Sequence, residues 1–181
     1  MEKQTNDSAT IWTIASKKYE DFLRTRVIDF NKEQYDKKYI EQTTKLMRHL
    51  MVQHRGIGLS ANQIGRSLRL FICQLPANDG AGYKGKFYVV INPILESFSE
   101  KKVIDQEGCL SIPGTYGDVE RSEKIILTGV DKNYRPIRIK ASGLLARIMQ
   151  HELDHLNGIL FIDKAQNIIQ EEGEEKKGGR G

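Results

Sequence analysis

Residues Ser142 to Gly158 read SGLLARIMQHELDHLNG, and this stretch decides more about the molecule than any other. Leu144, Leu145, Ile148, Met149 and Leu156 recur at the steps of an amphipathic helix from about Gly143 to Asn157, with Ser142 able to cap its start and Gly158 to stop it. Within it, His151 to His155 spell HELDH, an instance of H-E-x-x-H. Residues four apart share a helix face, so both imidazoles can reach one cation, and Glu152 can then meet a water on that cation. Two histidines at this spacing without the glutamate would more often be partly buried members of an ordinary helix; the glutamate favours a metal site.

A catalytic site of this kind needs a third protein ligand and one position left for water. No histidine or cysteine follows His155, and neither His49 nor His54 is well placed by sequence. That leaves Cys109, in the stretch EGCLS from Glu107 to Ser111, where Gly108 permits close backbone approach and the neighbours suggest an extended segment. A lone cysteine is more often a buried hydrophobe, and Cys73, inside an apolar run, reads as that case.

Upstream, Tyr39, Ile40, Thr43, Leu46, Met47, Leu50 and Met51 predict another amphipathic helix over roughly residues 31–53, its end marked by Gly56 and Gly58. Branched and aromatic runs at 68–75, 87–91, 125–130 and 134–139 read as strands, with a hairpin turn at Asp131 to Asn133. Residues 77–86 read as an exposed loop. The chain divides into a catalytic domain over 1–166 and a charged tail over 167–181, which is expected to be disordered because it cannot offset its ordering entropy by burial.

The 181 residues fit one domain, and 39% hydrophobic residues suffice for an ordinary core. There is no run of eighteen apolar residues and no apolar segment near Met1, so neither a membrane span nor a signal peptide is expected, and a cytoplasmic protein is. Two cysteines are too few to staple a secreted domain and remain available as thiols. The net charge of +4 comes from scattered lysines and arginines, so composition does not argue for a nucleic-acid site.

Three separated segments, GIGLSANQ (Gly56 to Gln63), EGCLS and QHELDHLNG (Gln150 to Gly158), resemble in order the motifs of the peptide deformylase family. The resemblance runs from about Tyr19 to Lys164. It implies an α+β fold, antiparallel sheets around a central helix carrying HELDH, and a metallohydrolase that removes the formyl group from N-terminal formylmethionine of newly made polypeptides. By similarity, Cys109, His151 and His155 match the metal ligands, Glu152 the general base and acid, Gln63 a side-chain oxyanion donor and Leu110 the backbone donor beside it. Gly58 matches a position lining the substrate. Ile57, Leu144 and Ile148 are candidates for the methionine pocket, each equally explicable as core. Gln63 is likewise explicable as a plain loop glutamine. The implied cofactor is one divalent ion, Fe2+ in the cell with Zn2+ or Ni2+ in preparations. The implied partners are nascent N-formylmethionyl peptides, with transient ribosome proximity.

The sequence departs from the family pattern in places. Ser60 stands where an alanine is usual, adding a hydroxyl that needs a partner if buried. Arg55 stands where an acid is frequent, so an acidic partner for Arg121 is expected elsewhere, with Asp154 the candidate. The short charged tail replaces a long helix, so no ribosome-docking helix is expected. Two other readings share HELDH: a metalloprotease, which usually takes its third ligand downstream of the helix, and a catalytically silent peptide-binding relative, against which Glu152 and Gln63 speak.

Overall fold

The computed structural model describes residues 10–77 and 82–171. Within them the chain forms α1 (Lys17–Leu23), α2 (Lys37–Gln53), β1 (Gly58–Ser60), β2 (Leu70–Pro76), β3 (Tyr83–Phe98), β4 (Lys102–Cys109), β5 (Ile112–Ser122), β6 (Lys124–Val130), β7 (Pro136–Ser142), α3 (Gly143–Leu156) and β8 (Gln166–Gln170). Short 3-10 turns occupy Ala61–Ile64 and Phe161–Asp163. All strand pairs are antiparallel, in a five-stranded sheet ordered β1-β2-β3-β6-β7 and a three-stranded sheet ordered β4-β5-β8. The expected α+β class and the antiparallel sheets about the HELDH helix are what the chain adopts.

Side chains alternate across a strand, and β2 shows why its first four residues, Leu70 to Cys73, are all apolar. Leu70 and Ile72 join Met47 and Met51 of α2 on one face, while Phe71 and Cys73 join Ala146, Ile148 and Met149 of α3 on the other. The sheet is therefore covered by a helix on each side. On its far side α3 meets β5 of the smaller sheet, which puts the HELDH helix between the two sheets. A third cluster, with Leu23, Ile112, Val119 and Phe161, fills the space beside the smaller sheet.

Several elements differ from the sequence reading. α2 starts at Lys37 because Asp36 accepts a hydrogen bond from the Tyr39 N–H at 2.6 Å. It ends in a paired set of bonds, Gly56 N–H to the Met51 carbonyl and Arg55 N–H to that of Val52. The left-handed residue there is Arg55, at φ 55°, where a glycine is usual. Ser142 is extended ahead of α3, but its side chain makes no capping bond. Gly158 does stop α3, at φ 75°, where a Cβ would lie 2.3 Å from the Arg24 carbonyl oxygen.

The strand expected at 87–91 begins at Tyr83, inside the expected loop. β4 and β5 carry too few apolar residues to announce a hairpin; β4 is exposed along most of its length. Residues 167–170, assigned to the tail by composition, instead belong to β8, paired with β5 through Thr115↔Gln170 and Tyr116↔Ile169. The rest of the tail expectation, from 172 on, lies outside the described residues.

Candidate active site

The β4–β5 ladder runs evenly from Lys102↔Ser122 to Gly108↔Tyr116, then breaks so that Cys109 faces Ile112. Such breaks re-aim a side chain. Here Cys109 Sγ comes to 3.1 Å from His155 Nε2, and one ligand atom each from Cys109, His151 and His155 all lie within 4.8 Å of one another. A tetrahedral shell with metal–sulfur near 2.3 Å and metal–nitrogen near 2.0–2.1 Å separates its donors by about 3.3–3.6 Å. The sulfur and two nitrogens therefore fit a divalent cation. Burial disfavours charge on these groups, yet the two imidazoles bring the Cys109 thiol down to about 5, and the thiolate with Glu107 brings His151 up to about 10. The sulfur is thus already the thiolate that a metal requires.

Behind His151 stands Glu107, which is 6% exposed. Its Oε2 lies 2.9 Å from His151 Nδ1, so the Nε2 edge of that ring is turned to the cluster. Arg121 donates to both Glu107 oxygens at 2.9 Å, and Arg147 donates to Oε1 at 2.8 Å. Burial alone would raise the Glu107 carboxyl, but the bonds from His151 and Arg121 hold it well below the usual carboxylate range. Arg121 also donates to Asp154, which accepts from Lys164 at 2.7 Å. The expected Arg121 and Asp154 pair is thus present, but the principal acidic partner of Arg121 is Glu107. Glu107 has no role in the sequence pattern beyond its place in EGCLS; the signal it offers is its position two residues before the candidate ligand.

Glu152, the next residue on α3, is buried, and burial pushes its carboxyl above the usual range against the pull of His151 and His155. Ser60 is fully buried, and its hydroxyl lies 2.6 Å from Glu152 Oε2 and 3.0 Å from the Glu152 carbonyl oxygen. The extra hydroxyl noted in the sequence therefore has its partner in Glu152. Oε1 rests against Gly58, where a Cβ would sit only 2.3 Å away. Gln63 is fixed by accepting the Ser60 N–H at 2.8 Å through Oε1. That turns its Nε2 toward Ser111 Oγ at 3.1 Å and Cys109 Sγ at 3.6 Å. Asn62, also unassigned from sequence, donates to the His155 carbonyl at 2.7 Å.

A cleft of about 620 Å³ opens onto this cluster. It is lined by Gln63, Cys109, Leu110, His151 and Glu152, and all four candidate substrate residues, Ile57, Gly58, Leu144 and Ile148, border it. Ile148 is nearly buried, whereas Leu144 is 44% exposed and so offers an apolar surface at the rim. Cys73 is fully buried in β2, and burial keeps it a thiol.

The model of the polypeptide deformylase family matches residues 13–171. Peptide deformylase 2 of Gloeobacter violaceus is 41% identical over 130 residues, 72% of this chain and 68% of the relative. The peptide deformylase of Pelotomaculum thermopropionicum is 46% identical over 122 residues, 67% of this chain and 73% of the relative. Among solved structures, a peptide deformylase from Synechococcus elongatus in complex with actinonin superposes with TM-score 0.75 and 35% identity over 92% of this chain and 84% of the other. A class I type b peptide deformylase from Acinetobacter baumannii bound to Met-Ala-Ser gives TM-score 0.78 and 27% identity over 88% and 99%.

Proposed function

The chain belongs to the polypeptide deformylase family, and we propose that Cys109, His151, His155 and Glu152 are where it removes the formyl group from N-terminal formylmethionine of newly made polypeptides. One observation carries the assignment of the site. The three metal-binding side chains converge within 4.8 Å in a cleft that also presents the Glu152 carboxyl and the Gln63 amide.

Cys109, His151 and His155 would hold the cation, which when bound supplies water acidified from a pKa of about 15.7 toward about 7. Glu152 takes the proton at Oε1, since Oε2 is engaged by Ser60, and later delivers it to the departing amine. The raised proton affinity that burial gives Glu152 suits both transfers. As the carbonyl carbon becomes tetrahedral, charge grows on its oxygen. Gln63 Nε2 and the Leu110 N–H stabilise it, a reading supported by both residues lining the cleft, each such donor being worth on the order of 3 kcal/mol. Ile57, Leu144 and Ile148 supply apolar surface for the methionine side chain, and Gly58, which also lines the cleft, leaves room for the Glu152 carboxylate. Arg121 and Asp154 hold Glu107 and the end of α3 in place.

The cation proposed for the cell is ferrous iron, with zinc or nickel in stable preparations, because a Cys/His/His set suits these ions and a thiolate beside ferrous iron is oxygen-sensitive. Among the described residues no helix is long and apolar enough to cross a membrane. A cytoplasmic location, with transient proximity to ribosomes, follows from the proposed substrate, which exists where chains emerge.

The test is anaerobically prepared iron(II) protein offered N-formyl-Met-Ala-Ser, N-acetyl-Met-Ala-Ser and casein. Formate release from the first alone is expected. Cleavage of casein without formate would overturn the proposal in favour of an endoprotease, and silence toward all three in favour of a binding protein.

A further inference from the structure

Resting on the deformylase reading, the geometry points to Arg55 as a determinant of which nascent chains are processed: it favours an acidic side chain at the second or third residue of the peptide. Four charged residues line the cleft, apart from its two histidines, His54 and His151. Glu107, Arg147 and Glu152 are buried, and each is bonded to neighbours. Arg55 is exposed, and among the described residues its side chain has no ion pair or hydrogen bond. The stretch of the lining from Pro113 to Tyr116 is uncharged.

Arg55 is also held in place. The two bonds that close α2, Arg55 N–H to the Val52 carbonyl at 3.1 Å and Gly56 N–H to that of Met51 at 2.8 Å, fix its backbone at φ 55°. Its distance from the chemistry fits the middle of a short peptide. Gly58 abuts Glu152, and Arg55, which also lines the cleft, is three residues away along the chain, at most about 10 Å. Counting outward from a formyl carbon in an extended peptide, the second and third Cα atoms lie about 6 to 10 Å away. A formylated terminus carries no charge of its own. The first charges such a chain presents are therefore its side chains, at the depth where Arg55 stands.

The contact is solvent-exposed, so its effect is modest: roughly two- to fivefold per charge, shrinking as salt screens it. It lies away from the reacting carbonyl and acts alike on bound substrate and transition state, so it should appear in KM and not in kcat.

The experiment compares kcat/KM of the iron(II) protein on formyl-Met-Ala-Ser, formyl-Met-Glu-Ser, formyl-Met-Lys-Ser, formyl-Met-Ala-Glu and formyl-Met-Ala-Lys at low and high salt. The readout is the Glu-to-Lys ratio at each position, taken within one enzyme so that general losses cancel. The parent should prefer glutamate by roughly three- to tenfold at one of the two positions at low salt. Arg55→Asn, a residue tolerant of a left-handed backbone, should bring that ratio near one, and Arg55→Glu should invert it. Formate from every peptide at ratios near one, unchanged by either substitution, would overturn the inference. No formate from any peptide would instead overturn the proposed function.

Discussion

Replacing Glu107 by glutamine keeps its shape and removes its charge, and the structure fixes what that disturbs. Oε1 accepts from Arg121 and Arg147 at 2.9 and 2.8 Å, and Oε2 accepts from Arg121 and faces His151 Nδ1 at 2.9 Å. A glutamine offers one oxygen, so its NH2 must confront donors on one side. If the NH2 faces His151, that ring can only accept at Nδ1, which places its proton on Nε2, the atom needed for a metal. Breaking a buried ion pair from one side costs about 3–5 kcal/mol. The low end is expected here, because Arg121 retains Asp154 and Arg147 retains the Val103 and Val119 carbonyls. Loss of the carboxylate behind a ligating histidine lowers metal affinity by about 10- to 100-fold, or about 1.4–2.8 kcal/mol.

Two measurements check this: urea unfolding of chelator-treated protein, and competition with a chromophoric chelator for zinc. Glu107→Gln should be less stable by about 3 kcal/mol and bind zinc at least tenfold more weakly. The pH sign follows from a carboxyl held below its ordinary 4.5. Its stabilisation is fully present above that value and is lost as pH falls through the depressed folded value. The gap between parent and variant should therefore close in strong acid, and narrow again in alkali as His151, which Glu107 helps hold up to about 10, loses its proton. A variant that binds zinc within threefold of the parent would refute the orienting role.

Four further outcomes are expected. Glu152→Ala should keep its metal and lose turnover, whereas Cys109→Ala should lose the metal; metal analysis beside a formate assay separates them. Gly58→Ala places a Cβ 2.3 Å from Glu152 Oε1 and 2.9 Å from Ile148 Cγ2, so kcat should fall by more than about tenfold while metal content stays at the parent's level. Ser60→Ala removes the 2.6 Å partner of Glu152, and since a bond to a charged group is worth about 1.5–3 kcal/mol, kcat should drop roughly tenfold with KM little changed; an unchanged kcat would show the bond idle. With Cys109 near 5 and His151 near 10, the protein groups alone hold a thiolate and an imidazolium at neutral pH. Zinc binding to stripped protein between pH 6 and 9 should therefore release at least one proton, that of His151, as measured by calorimetry in buffers of different ionisation enthalpy.

What could be read in advance was whatever local periodicity encodes. HELDH falls on a helix whose apolar face is spelled out by Leu145, Ile148, Met149 and Leu156, and β2 announces itself because both of its faces are covered. The β6–β7 hairpin follows from its turn residues. The end of α2 at Gln53 agrees with the pattern, but its left-handed residue is Arg55 and not a glycine, because two backbone bonds impose that conformation on an arginine. β4 was missed because its exposed face is polar and charged. Its contribution to the site depends on a break in pairing at Cys109 that no alternation of residue types records.

Glu107 shows why the rest of the site was beyond local reading. An acidic residue on a polar segment is expected in water, and nothing near it in sequence neutralises it. Its partners come from 14, 40 and 44 residues away, on β5 and α3. One carboxylate thereby ties β4 to the helix that carries two of the three candidate ligands, and Cys109, two residues along β4, is the third. Holding the metal and docking the smaller sheet onto α3 are then parts of one structure. A cation bound across Cys109, His151 and His155 would bridge the same two elements that Glu107 joins, and would stabilise the fold in proportion to the logarithm of its concentration over its dissociation constant. Weakening Glu107 raises that dissociation constant, so at any given zinc concentration the variant should gain less stability from the metal than the parent, and the gap between the two should widen as zinc is added.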